Sequence, residues 1–235
     1  MKILAFDSTA GAASVAVTED ERLLGHYTID NGLTQSELLL PMAENLLKSL
    51  RLSFSDIDAL AVTTGPGSFT GVRIGAALVK GIAFGRNMPC IPVSTLESLA
   101  ENITPLSAIL VPAMDARRGQ VYTAIFRSDG ELRERLTEDE AISITDLAEK
   151  LKAYEGEKIY LSGDGYKVAK AGLEKAGVRC ESTPELLICE SAYSCAKVAY
   201  RKYLKGEYTT DLELTATYLR LPQAERERLE RLSKN

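Results

Sequence analysis

Asp7-Ser8-Thr9 closes an apolar run over residues 3–6 and carries the residue types of a cation and phosphate site. Aspartate is a hard oxygen ligand for Mg²⁺, and a Ser/Thr turn adds hydroxyl and backbone N–H donors for phosphate. Asp115 closes a second apolar run, residues 109–114, ahead of Ala116-Arg117-Arg118-Gly119. Two such tips facing each other across a cleft would make an ATPase site. The second tip is not a glycine-rich phosphate loop, however, and an Asp at a strand end caps its own turn more often than it ligates. Asp7, Ser8, Thr9 and Asp115 are therefore expected to form the remnant of a nucleotide site.

Gly65-Pro66-Gly67-Ser68-Phe69-Thr70-Gly71-Val72-Arg73-Ile74-Gly75 joins an apolar run to a nearly uncharged helical stretch. Glycine and proline suit a tight turn, and Ser68 or Thr70 can cap the helix that follows. Such a turn can bind an anion through bare N–H groups. Neither G-x-x-x-x-G-K-[ST] nor G-x-G-x-x-G is present, so close packing of two backbones is the first expectation and a phosphate contact the second.

Other chemistry is sparse. His26 is the only histidine, lies in a predicted strand, and is expected to be a satisfied structural residue. A Ser-His-Asp hydrolase would need it, and no G-x-S-x-G elbow accompanies it. Cys90, Cys180, Cys189 and Cys195 form no C-x-x-C pair and read as reduced thiols of a cytosolic protein. With 28 basic and 33 acidic residues, net charge −5, no footprint for independent nucleic-acid binding is expected. No apolar run reaches membrane-spanning length, and the first residues meet Asp7 too early for a signal peptide.

The elements that must hold these residues repeat. Strands over 3–7, 13–17 and 22–29 precede a helix opened by the capping box Thr34-Gln35-Ser36-Glu37, then a strand over 59–62 and the helix over 72–84. The second copy runs 109–115, 120–126, 131–136, a helix over 143–154, a strand over 159–161 and the turn Gly163-Asp164-Gly165 before another helix. Both halves read β-β-β-α-β-α, which predicts two related α/β lobes, residues 1–103 and 104–222, with a charged helical tail over 223–235. The two first-lobe helices are apolar on more than one face and must be covered on both sides. A partner subunit is the first expectation for the second cover, and the chain's own second lobe or tail is the alternative.

Residues 3–9, Gln35-Ser36-Glu37 with Pro41, the Gly65–Gly75 stretch and Met114-Asp115-Ala116-Arg117-Arg118, in that order along the whole chain, resemble the bacterial TsaB (YeaZ) family. The resemblance implies an actin/sugar-kinase/Hsp70-like (ASKHA) fold. It also implies a cytoplasmic, non-catalytic role beside TsaD, which transfers a threonylcarbamoyl group to the adenosine next to the anticodon of tRNAs reading codons that start with A. TsaE is implied as a third, ATP-binding component, and tRNA is implied to be met mainly through the complex. The chain would have no cofactor or metal of its own, with ATP or ADP at the interface of the complex; for the chain alone, monomer and homodimer are both left open. TsaD-type proteins take metal ligands from an H-x-x-x-H pair; the matching stretch here, from Gln35 to Leu39, holds no histidine. The implied partner interface comprises Leu38, Leu39, Met42, Leu46, Gly71, Arg73, Ile74, Gly75 and Ala77. An active ATPase or small-molecule kinase of the same fold is the alternative function. A peptidase acting on TsaD would lack a nucleophile–base pair.

Overall fold

The computed structural model describes residues 1–220. The first half contains β1 (Lys2–Asp7), β2 (Ala13–Glu19), β3 (Arg22–Ile29), α1 (Gln35–Leu50), β4 (Ala59–Thr63), α2 (Phe69–Ala83), β5 (Cys90–Val93) and α3 (Thr95–Ile103). Its sheet runs β3-β2-β1-β4-β5, with β1 antiparallel to β2 and parallel to β4. The second half contains β6 (Ala108–Asp115), β7 (Gln120–Thr123), β8 (Phe126–Ser128), β9 (Arg133–Arg135), β10 (Glu140–Ser143), α4 (Ile144–Leu151), β11 (Ile159–Ser162), α5 (Tyr166–Lys175) and α6 (Ala192–Leu204).

Strand β6 pairs antiparallel with β7 and β8 in one register and parallel with β11, while β10 flanks β7 and β9 flanks β8. The strand expected over 120–126 is therefore divided into β7 and β8, the one expected over 131–136 is β9, and β10 is a further strand beyond those expected. The ladder is interrupted at Val111–Pro112, between the pairs Ala113↔Thr123 and Leu110↔Phe126. Proline has no N–H to contribute there. Ile125 bonds outward instead, its N–H donating to Thr137 Oγ1 at 2.9 Å and its carbonyl accepting from Leu136 at 2.8 Å. Allowing for that break, the second half repeats the β3-β2-β1-β4 order of the first. The molecule is a two-lobed, actin-like α/β fold.

The last helix of each half covers the other half's sheet. Helix α3 packs on β6 and β11, α6 packs on β1, β2, β4 and β5, and the two helices pack together. The chain boundary after Ile103 thus joins two lobes that share their helices. Side chains of β1 alternate accordingly: Leu4 and Phe6 enter the core under α1 and α2, Ile3 and Ala5 the core under α6. Glu101 on α3 is buried where the lobes meet, within reach of Arg133 at 3.1 Å, Arg201 at 2.8 Å and Lys197. A carboxylate is tolerated there because three cations surround it.

Both first-lobe helices are largely covered by the chain itself. Leu39, Met42, Ala43, Leu46 and Leu47 of α1 are buried in the core shared with β2 and β4, and Leu46 fills the space above Gly25 of β3. Gly71, Val72, Gly75, Ala76, Val79 and Ala83 of α2 are likewise buried. Residues 209–218 then run beside the end of β4, β5 and α2. Thr217 donates to Thr64 O at 2.7 Å, Thr209 bridges Cys90, and Leu214 is buried. Leu39, Met42, Leu46, Gly71 and Gly75, expected at a partner interface, are buried in the chain's own packing. The helical tail expected over 223–235 lies outside the described residues.

Candidate functional site

The tip of the first hairpin is sealed. Asp7, Ser8 and Thr9 have no solvent exposure. Asp7 Oδ1 accepts from the Thr9 N–H at 3.0 Å and the Thr9 hydroxyl at 2.7 Å, so the carboxylate caps its own turn. The Gly65–Gly75 stretch lies directly on this tip. Ser68 N–H donates to Thr9 O at 2.7 Å, and Ser8 Oγ donates to Gly71 O at 2.9 Å. A Cβ on Gly67 would stand 2.5 Å from Thr9 O, and one on Gly71 would overlap the Ser8 carbonyl oxygen. The glycines therefore serve close backbone contact, and the N-terminus of α2 is capped by Ser68, whose Oγ accepts from the Gly71 N–H at 3.2 Å.

Burial raises the Asp7 carboxyl above its ordinary range despite the two Thr9 bonds. Glu190, at the entry to α6, is pushed up to about 8, first by burial and then by the nearby Asp7. Asp7 Oδ2 and Glu190 Oε1 have no hydrogen-bond partner among the described residues. Glu190 carries no signal in the sequence, because nothing local marks a carboxylate as buried.

The second tip is open. Asp115 N–H donates to Asp164 Oδ1 at 2.9 Å, while Asp115 accepts from the Arg117 N–H at 2.8 Å and faces its guanidinium at 3.1 Å. Arg117 and Arg118 both adopt left-handed backbone conformations, at φ 64° and 56°. Asp115 and Asp164 line an interlobe cleft of about 700 Å³, together with Arg117, Tyr122, Tyr218 and Arg220. Asp7, Ser8 and Thr9 are not part of its wall. The four residues expected to form one nucleotide site are thus divided between a sealed tip and an open one. Asp164, flanked by two glycines in the repeat of the glycine turn, is the cleft residue that sequence position could have singled out.

A family model described as TsaD, tRNA N6-adenosine threonylcarbamoyltransferase, matches residues 34–227. The tRNA threonylcarbamoyladenosine biosynthesis protein TsaB of Haemophilus influenzae is 31% identical over 234 residues, covering 94% of each chain. The protein of the same name from Bacillus subtilis is 32% identical over 164 residues, 70% of this chain and 72% of its own. The chain belongs to the TsaB family. A solved structure described as an uncharacterized protein with similarity to peptidase YEAZ, from Pseudomonas aeruginosa, superposes with a TM-score of 0.79 at 24% identity over 93% of this chain and 99% of its own. That similarity bears on fold.

Within this TsaB-family chain, Gln35 ties α1 to the first hairpin, its Nε2 donating to Ala10 O at 2.9 Å and Gly11 O at 3.3 Å. His26 Nε2 lies 2.8 Å from Ser14 Oγ and 3.0 Å from Thr28 Oγ1. Ser14 is fully buried and also accepts from the Ala192 N–H at 2.9 Å. A Ser–His contact that the sequence did not reveal therefore exists, closed to substrate and used to join β2, β3 and α6. Of the expected interface residues, Arg73 and Ala77 are exposed and Leu38 and Ile74 half-buried. Arg73 stacks on Phe69, 3.8 Å from its ring centre, and donates to the Tyr218 hydroxyl at 2.9 Å. Among the described residues no helix is long and apolar enough to cross a membrane.

Proposed function

We propose that this chain is a non-catalytic subunit in the formation of threonylcarbamoyladenosine on tRNA, binding a TsaD-type transferase and supporting its reaction. The observation that carries this reading is the sealed hairpin tip: the carboxylate best placed for Mg²⁺ and phosphate, Asp7, is fully buried under the Gly65–Gly75 stretch. Family membership supplies the pathway. The partner face we assign is what remains uncovered on the two helices: Leu38 of α1 with Arg73, Ile74 and Ala77 of α2. The exposed Phe84 at the end of α2 extends that face. TsaE joins as the ATP-binding component, and any ATP or ADP sits at the interface of the complex.

Mixing the chain with TsaD from the same organism tests this by light-scattering chromatography, with threonylcarbamoyl transfer to tRNA assayed on the same fractions. A stoichiometric complex, active only when both chains are present, is the expected result. The open cleft beside Asp115 and Arg117 favours one second reading, an ATPase or small-molecule kinase. ATP turnover by the chain alone, lost in Asp115→Ala, would establish that reading instead.

A further inference from the structure

A hollow rich in basic residues lies away from the interlobe cleft, between β9, α3 and the C-terminal end of α6. It encloses about 240 Å³, below the roughly 300–1,000 Å³ typical of sites for drug-sized molecules. Five of its ten lining residues are basic: Arg133, Arg135, Arg201, Lys202 and Lys205. Only Glu97 and Glu207 oppose them within the lining, in a chain of net charge −5. The other carboxylates paired with these cations are Glu101 with Arg133 and Arg201, Asp139 with Arg135, and Glu21 with Arg201. None of the three belongs to the lining. They hold the guanidinium groups in position from outside the hollow, so that its wall presents five cations and two carboxylates.

Arg133 gives the second, independent sign. Its side chain is only 7% exposed, and its two terminal nitrogens are engaged by Glu97 at 2.8 Å and Glu101 at 3.1 Å. Its Nε–H is buried with no acceptor among the described residues. Leaving a charged donor unsatisfied costs more than an ordinary lost hydrogen bond, so an acceptor that reaches it on a small shift of the Arg133 side chain would be favoured. Arg135 is held with its guanidinium 4.7 Å from the Phe126 ring centre, which limits its freedom before any ligand arrives. Lys202 and Lys205 add mobile point charges at the rim, with Lys202 only loosely paired to Glu207 at 3.8 Å. Rigid guanidinium groups inside and lysines at the edge suit a compact oxyanion with several acceptor oxygens.

We propose that this hollow is a phosphate-binding site. It rests on the function proposed above only for its source of phosphate, which in the assembly is the tRNA backbone; a free phosphate-bearing molecule is the other source. The site lets an acidic subunit contribute a local grip on RNA without a basic surface overall.

The test uses Lys202→Ala/Lys205→Ala, which leaves the Glu101 pairs intact. Titration of the isolated chain with inorganic phosphate, followed through Arg side-chain N–H resonances in NMR, should give saturable shifts at Arg133 and Arg135 that weaken in the double variant. Affinity of the chain–TsaD complex for tRNA, measured at several salt concentrations, should fall several-fold in the variant. The slope of log affinity against log salt should become shallower by about 1–2. Saturable phosphate shifts with unchanged tRNA affinity would assign the site to a free phosphate-bearing molecule. No saturable shift together with unchanged affinity and slope would overturn the proposal and leave the cluster as an ion-pair clamp. Failure of the chain to bind TsaD would strike the proposed function alone, because the phosphate titration needs no partner.

Discussion

At Gly71 a side chain has no place to go, because its Cβ would overlap the carbonyl oxygen of Ser8. Gly71→Ala should therefore force α2 off the hairpin tip and destabilise the fold by about 3 kcal/mol, measured by chemical denaturation. The same substitution at Gly81, where a Cβ meets nothing, should be neutral or slightly stabilising. Glu190 gives a pH signature. Its carboxyl moves from an ordinary 4.5 to about 8 on folding. Between those values the folded chain keeps a proton that the unfolded chain has released. That contribution to stability is complete below pH 4.5 and is lost as pH rises towards 8, by up to about 1.4 kcal/mol per unit. The raised Asp7 carboxyl acts in the same direction. Glu190→Gln should flatten the decline and make the protein more stable at pH 8, as thermal melts across pH would show. An unchanged profile would mean that Glu190 ionises normally.

Helices α1 and α2 separate what a sequence reveals from what it conceals. Their existence and the capping of α1 at Thr34 follow from residue spacing; Glu37 accepts from the Thr34 N–H at 3.1 Å and the Thr34 hydroxyl at 2.7 Å. So does the glycine turn, because four glycines around Ser68 have few other uses. Which apolar face meets the chain itself and which meets solvent does not follow, since Leu38, Leu39 and Leu40 have the same chemistry. Leu39 is buried, while Leu40 is 38% exposed. The cover from residues 209–218 was hidden because that segment has no helical or alternating pattern to announce it. The divided strand of the second lobe turns on Pro112, one residue inside an otherwise unbroken apolar run. Burial also decides how variants on these helices behave. Leu46→Asp should unfold the monomer, at a cost of about 4 kcal/mol or more, since it removes a buried side chain and buries a charge. Ala77→Glu, on the exposed face of α2, should leave thermal stability unchanged and abolish TsaD binding. A variant that melts normally and still binds TsaD would remove α2 from the interface.

At the scale of the whole molecule, two copies of one β-β-β-α-β-α unit are each followed by a further helix, α3 or α6, that packs on the other copy's sheet, so neither lobe has a complete core alone. The duplication was readable from the order of elements; the exchange was not, because nothing in the periodicity of α3 or α6 says which sheet it covers. Glu101, Arg133, Lys197 and Arg201 come from α3, β9 and α6 and become a cluster only after that exchange. The cleft between the lobes persists, but the tip that would hold metal and phosphate in its first wall is filled by packing. In the function proposed above, the molecule is a two-lobed body whose chemistry is supplied by its partner. Threonylcarbamoyl transfer to tRNA by the chain alone, by TsaD alone and by the two together tests that claim most directly. Activity confined to the mixture, eluting with a stoichiometric complex and retained in Asp7→Asn, is the predicted result. Transfer by TsaD alone at the full rate, or ATP turnover by this chain in the absence of TsaD, would contradict it.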